Sequence, residues 1–464
     1  MPRINPDVFK AYDIRGVVDR DFDEARVEGL ARACGAYFRA RGLSRACLGH
    51  DARHSSPAYM AACARGLSAS GVDVVVLDMV PTPVFYFACV HLKIPAGIMV
   101  TASHNPPEYN GFKVWAGAST IYGGEIQEIR RLMEEEAFVD GRGVVSRHDI
   151  VPAYVETLAG LCRLARPVKV VLDGGNGAGG LVAARLLREL GAEVVELYTE
   201  PDGDFPNHHP DPTLPENMAD CAARVRETGA AAGIGLDGDG DRIAVADEQG
   251  RLMPGDELAA VLSRQILAEE PGAMIIGDVK CSHRLFRDVA AHGGEPLMSA
   301  TGHSLMKAKL AETGAAFAGE MSGHMFYRQR FFGFDDALYS AARFCEILSA
   351  AEVPVSQFLA DWPQTFSTPE IRMQVPEPVK FPLVARAVAH FREKYPATDL
   401  DGIRIDFPDG WALVRASNTQ DVLVMRFESE SEAGLARIRA EVEGAVLSWL
   451  EEMKAAMAAG TAAQ

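Results

Sequence analysis

Positive charge is scarce in this chain: 46 Lys and Arg stand against 64 Asp and Glu, a formal net charge of −18. That balance argues against a nucleic-acid partner, whose phosphates would be repelled at long range. A small anionic ligand is still allowed, provided that it meets a local concentration of Arg, Lys and His. Long apolar runs are missing too. No window approaches the roughly 18 uninterrupted apolar residues that span a bilayer, so no membrane partner is expected. The opening residues, Met1-Pro2-Arg3-Ile4-Asn5-Pro6-Asp7, lack the apolar core of a secretory signal, and the cytoplasm is the expected compartment. The eight cysteines are scattered without a Cys-x-x-Cys pair. A disulfide framework is therefore not expected, and they read as small buried hydrophobes.

What is present is globular. With 48% apolar and 24% charged residues over 464 positions, the composition is that of a folded protein, and length alone suggests roughly three domains. Strand, turn, helix, glycine, strand recurs three times. The first unit begins at Ala46-Cys47-Leu48-Gly49-His50-Asp51-Ala52-Arg53. The second begins at Val168 and runs through Asp173-Gly174-Gly175-Asn176-Gly177, with a helix through Leu181, Leu186 and Leu187. The third begins at Ala273, with a helix through Leu285, Phe286 and Val289. This is βαβ grammar, and it predicts three similar α/β domains with mixed, mostly parallel sheets.

From about Phe366 the pattern changes to alternating segments at 371–375, 402–406, 411–415 and 422–427. A helical stripe of Leu435, Ile438, Val442, Val446 and Leu450 follows. Pro369, Pro376, Pro378 and Pro382 mark the start of this region, a C-terminal α+β domain. The expected division is 1–150, 151–251, 252–365 and 366–464.

Two motifs carry chemistry. In Gly235-Leu236-Asp237-Gly238-Asp239-Gly240-Asp241-Arg242, three carboxylates alternate with glycine and can converge on one point. A divalent cation is the natural compensation for their repulsion. Counted from Asp237 as position one, Glu248 falls at position twelve of a calcium loop. Position six is Arg242 rather than glycine, however, and Ile243-Ala244-Val245-Ala246 continues as a strand, against an EF-hand. The second motif, Thr101-Ala102-Ser103-His104-Asn105-Pro106-Pro107-Glu108-Tyr109-Asn110-Gly111-Phe112-Lys113, is a turn-rich loop after the apolar run Ile98-Met99-Val100. There is no Gly-x-Ser-x-Gly elbow for a serine hydrolase. A phosphoryl-bearing Ser103 bridged to a Mg²⁺ on Asp237, Asp239 and Asp241 explains both motifs at once. Asn-Pro-Pro and Asn-Gly are expected to supply the bends that return Lys113 toward that hydroxyl.

These two stretches, together with Gly319-Glu320-Met321-Ser322-Gly323-His324, Phe9 to Gly16 (FKAYDIRG) and Arg415-Ala416-Ser417-Asn418-Thr419, resemble the α-D-phosphohexomutase family, phosphomannomutase/phosphoglucomutase type. The matches fall in order over nearly the whole chain. The resemblance implies four domains around a central cleft and interconversion of hexose 1-phosphate and hexose 6-phosphate, of mannose, glucose or both. It implies a phosphoserine enzyme and a hexose 1,6-bisphosphate intermediate and activator. Ser103, Arg15, Lys113, His104 and Arg242 would be catalytic, and one Mg²⁺ would sit on Ser103, Asp237, Asp239 and Asp241. Tyr12, Lys280, His303, Glu320, Ser322, His324, Arg415, Ser417, Asn418 and Thr419 would bind the phosphosugar. The chain is expected to be a monomer or weak homodimer. Phosphoglucosamine mutase, a metal-dependent sugar-phosphate phosphatase and a non-catalytic sensor or calcium module are the alternatives, and Met321 between Glu320 and Ser322 favours the mannose/glucose type. One departure stands out: Gln420-Asp421 follows Ser417-Asn418-Thr419 where many relatives carry a proline, and the Asp421 carboxylate is expected to point away from a phosphate.

Overall fold

A computed structural model describes residues 4–417 and 421–461. The chain divides into two compact units, the first comprising Met1–Ile276, Arg287–Leu297 and Gly302–Ala360, the second Gly277–Phe286, Met298–Thr301 and Asp361–Gln464.

The first unit contains two mixed sheets and most of a third sheet. In the N-terminal sheet the buried strand Arg45–His50 pairs in parallel with Asp73–Met79 and with Ala96–Val100. Apolar runs of this kind suit strands covered on both faces. Helix Glu24–Ala40 is capped by the Asp23 carboxylate, which accepts from the Arg26 backbone N–H at 2.8 Å. It packs with helix Ser56–Ala69 over the sheet, and Leu30, Tyr37, Leu48, Leu67, Ile98 and Phe112 belong to one buried cluster. At one edge the chain doubles back. Ala96–Val100 runs antiparallel to Tyr109–Ala116 with Met99 opposite Lys113, so the serine loop joins two antiparallel strands at their ends.

Here the structure corrects the expectation for Asn-Gly. Asn110 and Gly111 lie inside the strand Tyr109–Ala116, not in a turn. A Cβ on Gly111 would come within 2.6 Å of the Ile14 carbonyl and 2.8 Å of the Thr101 carbonyl, so the glycine permits close backbone approach.

The second sheet has the strand order Leu252–Met253, Ile243–Ala246, Ala232–Leu236, Lys169–Asp173, Glu193–Leu197. Lys169–Asp173 is parallel to both of its neighbours, whereas Ala232–Leu236 turns directly into antiparallel Ile243–Ala246. The aspartate loop is that turn, which agrees with the rejection of an EF-hand. Leu181, Leu186 and Leu187 all lie on helix Gly180–Glu189, as expected; Leu186 and Leu187 are buried, and Leu181 is 42% exposed. The third sheet runs Glu295–Ser299, Met274–Asp278, Phe317–Gly319, Met325–Tyr327, Phe334–Asp335. The last residues of its first two strands belong to the second unit.

The second unit is built on an antiparallel sheet in which Val422–Ser429 pairs with Gly410–Ala416, and that strand with Ile403–Phe407. Ile371–Gln374 also joins Val422–Ser429. Ile438, Val442, Val446 and Leu450 of helix Glu432–Thr461 are buried against it, as their spacing predicts. The proline-rich stretch, read only as a boundary, forms the helix Glu377–Arg392. Pro378 stands in its first turn, where no N–H is needed. Pro382 inside it is tolerated because Leu383, Ala387 and Phe391 are buried in the same core. The eight cysteines are free and buried. No helix among the described residues is long and apolar enough to cross a membrane.

Candidate active site

Ser103 has φ of +50°, a left-handed conformation that non-glycine residues seldom adopt, and it is 3% exposed. Its amide donates to Thr101 Oγ1 at 2.8 Å. The rest of the loop hangs on one guanidinium. Arg53, 1% exposed, donates to the carbonyls of Ser103 (2.8 Å), Asn105 (2.5 Å), Pro106 (2.6 Å) and Tyr109 (3.0 Å). Its Nε donates to Asp51 Oδ2 at 3.1 Å, and Ser56 Oγ steadies the other oxygen of that carboxylate at 2.6 Å. Sequence reasoning passed over Arg53 and Asp51 as the polar end of a strand. The signal was there in Asp-Ala-Arg straight after a buried run, but nothing local said what the arginine would hold. Arg15 reaches the same loop, donating to Asn105 Oδ1 at 2.6 Å and to Asp13 Oδ2 at 2.5 Å.

The aspartate loop is closed by its own atoms. Asp237 Oδ1 accepts the backbone N–H groups of Asp241 and Arg242, each at 3.0 Å. A Cβ on Gly238 would lie 2.5 Å from the Ser103 carbonyl, so this glycine lets the two loops touch. Contact follows at once: Ser103 Oγ donates to Asp237 Oδ2 at 2.6 Å. His104 Nδ1 lies 3.1 Å from the same hydroxyl.

Asp237, Asp239 and Asp241 are fully buried and offer ligand atoms within 4.8 Å of one another. Lys113 Nζ donates to Asp239 Oδ2 at 2.7 Å and also to Asp241 Oδ2. Thr82, another residue missed in the sequence, donates to the same Asp239 oxygen at 2.6 Å. Burial and the charges of its two neighbours push Asp237 well above the usual carboxylate range, and burial with Asp239 pushes Asp241 up to about 6. Burial acts on Asp239 in the same sense, but Lys113 and Thr82 outweigh it and hold that carboxyl low. Lys113 is raised in turn, its own burial being outweighed by Asp239 and Asp241.

Lys113 thus pairs with two of the three carboxylates, and Asp239 Oδ1 and Asp241 Oδ1 are buried without a hydrogen-bond partner among the described residues. Orphaned hard oxygen donors beside a serine hydroxyl fit a divalent cation of the Mg²⁺ kind.

Next to the aspartate loop stand the residues of the Gly319 to His324 motif, with His324 Nε2 3.8 Å from Asp241 Oδ1. Glu320, 2% exposed, accepts the Gly302 N–H at 2.7 Å and the Ser322 hydroxyl at 2.9 Å. The His303 and His324 rings stack with centroids 5.8 Å apart, and the Tyr12 ring meets His303 edge-on at 6.2 Å. Arg242 Nε donates to His324 Nε2 at 2.8 Å. Burial, reinforced by nearby cations, keeps His104, His303 and His324 well below the usual imidazole range.

In the second unit, Lys280 Nζ lies 3.4 Å from Glu370 Oε2, and Arg415 Nε donates to Asp401 Oδ2 at 2.9 Å. Lys280 above all, then Arg372 and Arg415, draw the Glu370 carboxyl down to about 2 against its burial. The Ser417 N–H donates to the Val422 carbonyl at 2.9 Å. Asn418 and Thr419 lie outside the described residues, as does Gln420. The Asp421 carboxylate is 68% exposed and lies 4.0 Å from Lys380 Nζ.

Four domain families match the chain in order. They are described as phosphoglucomutase/phosphomannomutase alpha/beta/alpha domains I, II and III, over residues 6–140, 152–250 and 254–366, and as the C-terminal domain over 370–445. The chain belongs to the phosphoglucomutase/phosphomannomutase family. It is 44% identical to a phosphoglucomutase of Neisseria gonorrhoeae, over 95% of this chain and 96% of that one. It is equally 44% identical to a phosphomannomutase/phosphoglucomutase of Pseudomonas aeruginosa, over 94% and 95%. A crystal structure of a family protein from Burkholderia thailandensis superposes with a TM-score of 0.91 at 43% identity, covering 96% of this chain and 98% of that one.

Proposed function

We propose that this protein interconverts hexose 1-phosphate and hexose 6-phosphate, of mannose, glucose or both, through a phosphoserine at Ser103. The observation that carries the proposal is the contact of Ser103 Oγ with Asp237 at 2.6 Å, beside Lys113 and the aspartate triad. Membership of the family and the names of the relatives support a hexose-phosphate mutase over the phosphatase and sensor alternatives.

In the forward half-reaction, a free sugar hydroxyl attacks the phosphorus on Ser103. The new P–O bond forms as the Oγ–P bond breaks, and the hydroxyl proton passes by way of a histidine of the site to Ser103 Oγ. The hexose 1,6-bisphosphate turns around, and Ser103 then takes the other phosphoryl group by the same exchange in reverse. Phosphoryl transfer depends mostly on positioning and on stabilising charge, a task that Arg15, Lys113 and Arg242 would share. A Mg²⁺ held by Asp237, Asp239, Asp241 and the phosphoserine would neutralise charge on the transferring group. Glu320 and Ser322 would bind sugar hydroxyls, with Tyr12, His303 and His324 lining the same site. Lys280, Arg415, Ser417, Asn418 and Thr419 would hold the phosphate that is not reacting. A monomer or weak homodimer in the cytoplasm fits this reading.

A coupled assay with glucose 1-phosphate and with mannose 1-phosphate, in Mg²⁺ and a trace of glucose 1,6-bisphosphate, tests it. Turnover of at least one substrate is expected, with a phosphate-sized mass on the intact protein that S103A lacks. No turnover of either by the wild-type chain would sink the proposal.

A further inference from the structure

Lys307 is a buried lysine for which the reaction above has no role. It is 2% exposed, and an ammonium in such a place is costly unless it is paired and hydrogen-bonded. Its Nζ donates to Asp335 Oδ1 at 2.9 Å and to the hydroxyl of Tyr86 at 3.3 Å, and it lies 3.2 Å from His303 Nδ1. Asp335 is fully buried, and its other oxygen, Oδ2, lies 3.1 Å from His324 Nδ1. Across the same ring, Arg242 Nε meets His324 Nε2 at 2.8 Å.

The direction of these bonds follows from chemistry. A guanidinium is always protonated, so Arg242 Nε–H can only donate, and His324 Nε2 must be the bare acceptor. The ring proton then sits on Nδ1 and is donated to Asp335. Lys307 and His324 both give protons to one carboxylate, and Arg242 gives one to His324. Among the described residues no protein group accepts from the two terminal nitrogens of Arg242.

We infer that Lys307 and Asp335 are positioning residues for this reaction: they hold His324 in its Nδ1–H form, which aims Arg242 and leaves its terminal nitrogens for the phosphoryl oxygens. A carboxylate that accepts from Nδ1 selects that tautomer, and an amide in its place does not. Lys307 fixes the orientation of the buried Asp335 carboxylate through its 2.9 Å hydrogen bond. The inference rests on the mutase reading, and the experiment separates the two.

Steady-state kinetics with glucose 1-phosphate on wild type, D335N, K307M and the charge-neutral double variant K307M/D335N measure the effect. D335N is expected to lose about 100-fold or more in kcat, and K307M about 10-fold, with KM within about threefold of wild type. Histidine labelled with heavy nitrogen gives a second readout. The resonance that disappears in H324Q should report bare Nε2 and protonated Nδ1 in the wild type, and should lose that signature in D335N. The double variant buries no unpaired charge, so it keeps the kinetic test open if a single variant fails to fold. Wild-type kcat in D335N or the double variant, an effect confined to KM, or His324 found with its proton on Nε2 would each overturn the inference and leave the mutase reading standing. No turnover by the wild type overturns both.

Discussion

The two loops that meet at Ser103 are held in opposite ways. The aspartate loop is closed from within: Asp237 accepts two amides of its own turn, and the strands on either side are hydrogen-bonded partners in one sheet. The serine loop is held from outside. Four of its carbonyls converge on Arg53, about fifty positions earlier in the chain, and Asn105 is tied to Arg15 near the N-terminus. A self-closed loop can present ligands with little help, whereas a clamped loop can hold a strained serine only while its clamp is intact. The contrast makes the serine loop the more fragile of the two.

The largest expected effect is the loss of the group both loops converge on. S103A should lower kcat at least 10⁴-fold by removing the phosphoryl carrier, with little change in stability, read by coupled assay and thermal melt. Removal of divalent metal by chelation should cost on the order of 100-fold or more, restored by added Mg²⁺, because the triad carries more negative charge than Lys113 offsets. R53M should release the serine loop while sparing the aspartate loop. Leaving Asp51 buried and unpaired costs about 3–5 kcal/mol in a denaturant melt, and kcat should fall roughly 100-fold. Mg²⁺ affinity that fell as far as kcat in R53M would mean that the two loops are not held independently. The smallest effect is expected for G238A, which presses a methyl group against the Ser103 carbonyl: about 1–3 kcal/mol of stability and roughly tenfold in kcat. A G238A protein with wild-type kcat would show that the loops need not touch.

Legibility divides along the same line. The aspartate loop could be read from eight consecutive residues, since alternating Asp and Gly between two apolar runs specify both the turn and its chemistry. Its strands, Ala232–Leu236 and Ile243–Ala246, fall where the pattern puts them. Ser103 was legible because its motif is local. Arg53, Thr82, Asp335 and Lys307 were not, because each acts on residues far away in sequence and sits in a stretch that reads as ordinary strand end or helix. Asn110-Gly111 misled for a related reason. The dipeptide signals a turn when its neighbours are solvated, but here two other backbones press on Gly111. The prolines marked where the C-terminal domain begins but not the helix Glu377–Arg392, where local propensity yields to the apolar face that Leu383, Ala387 and Phe391 bury.

By itself, the sequence determined the order of α/β units, the antiparallel C-terminal region, the three aspartates and the serine, since these are written in spacings of a few residues and in apolar periodicity. Only the tertiary structure decided which cation meets which carboxylate, that a single arginine carries the serine loop, and that a buried lysine and aspartate stand behind His324. Those outcomes depend on which strand ends are brought together when the sheets pack. Ion pairs and hydrogen bonds act over about 3 Å in space, and no spacing along the chain encodes that distance.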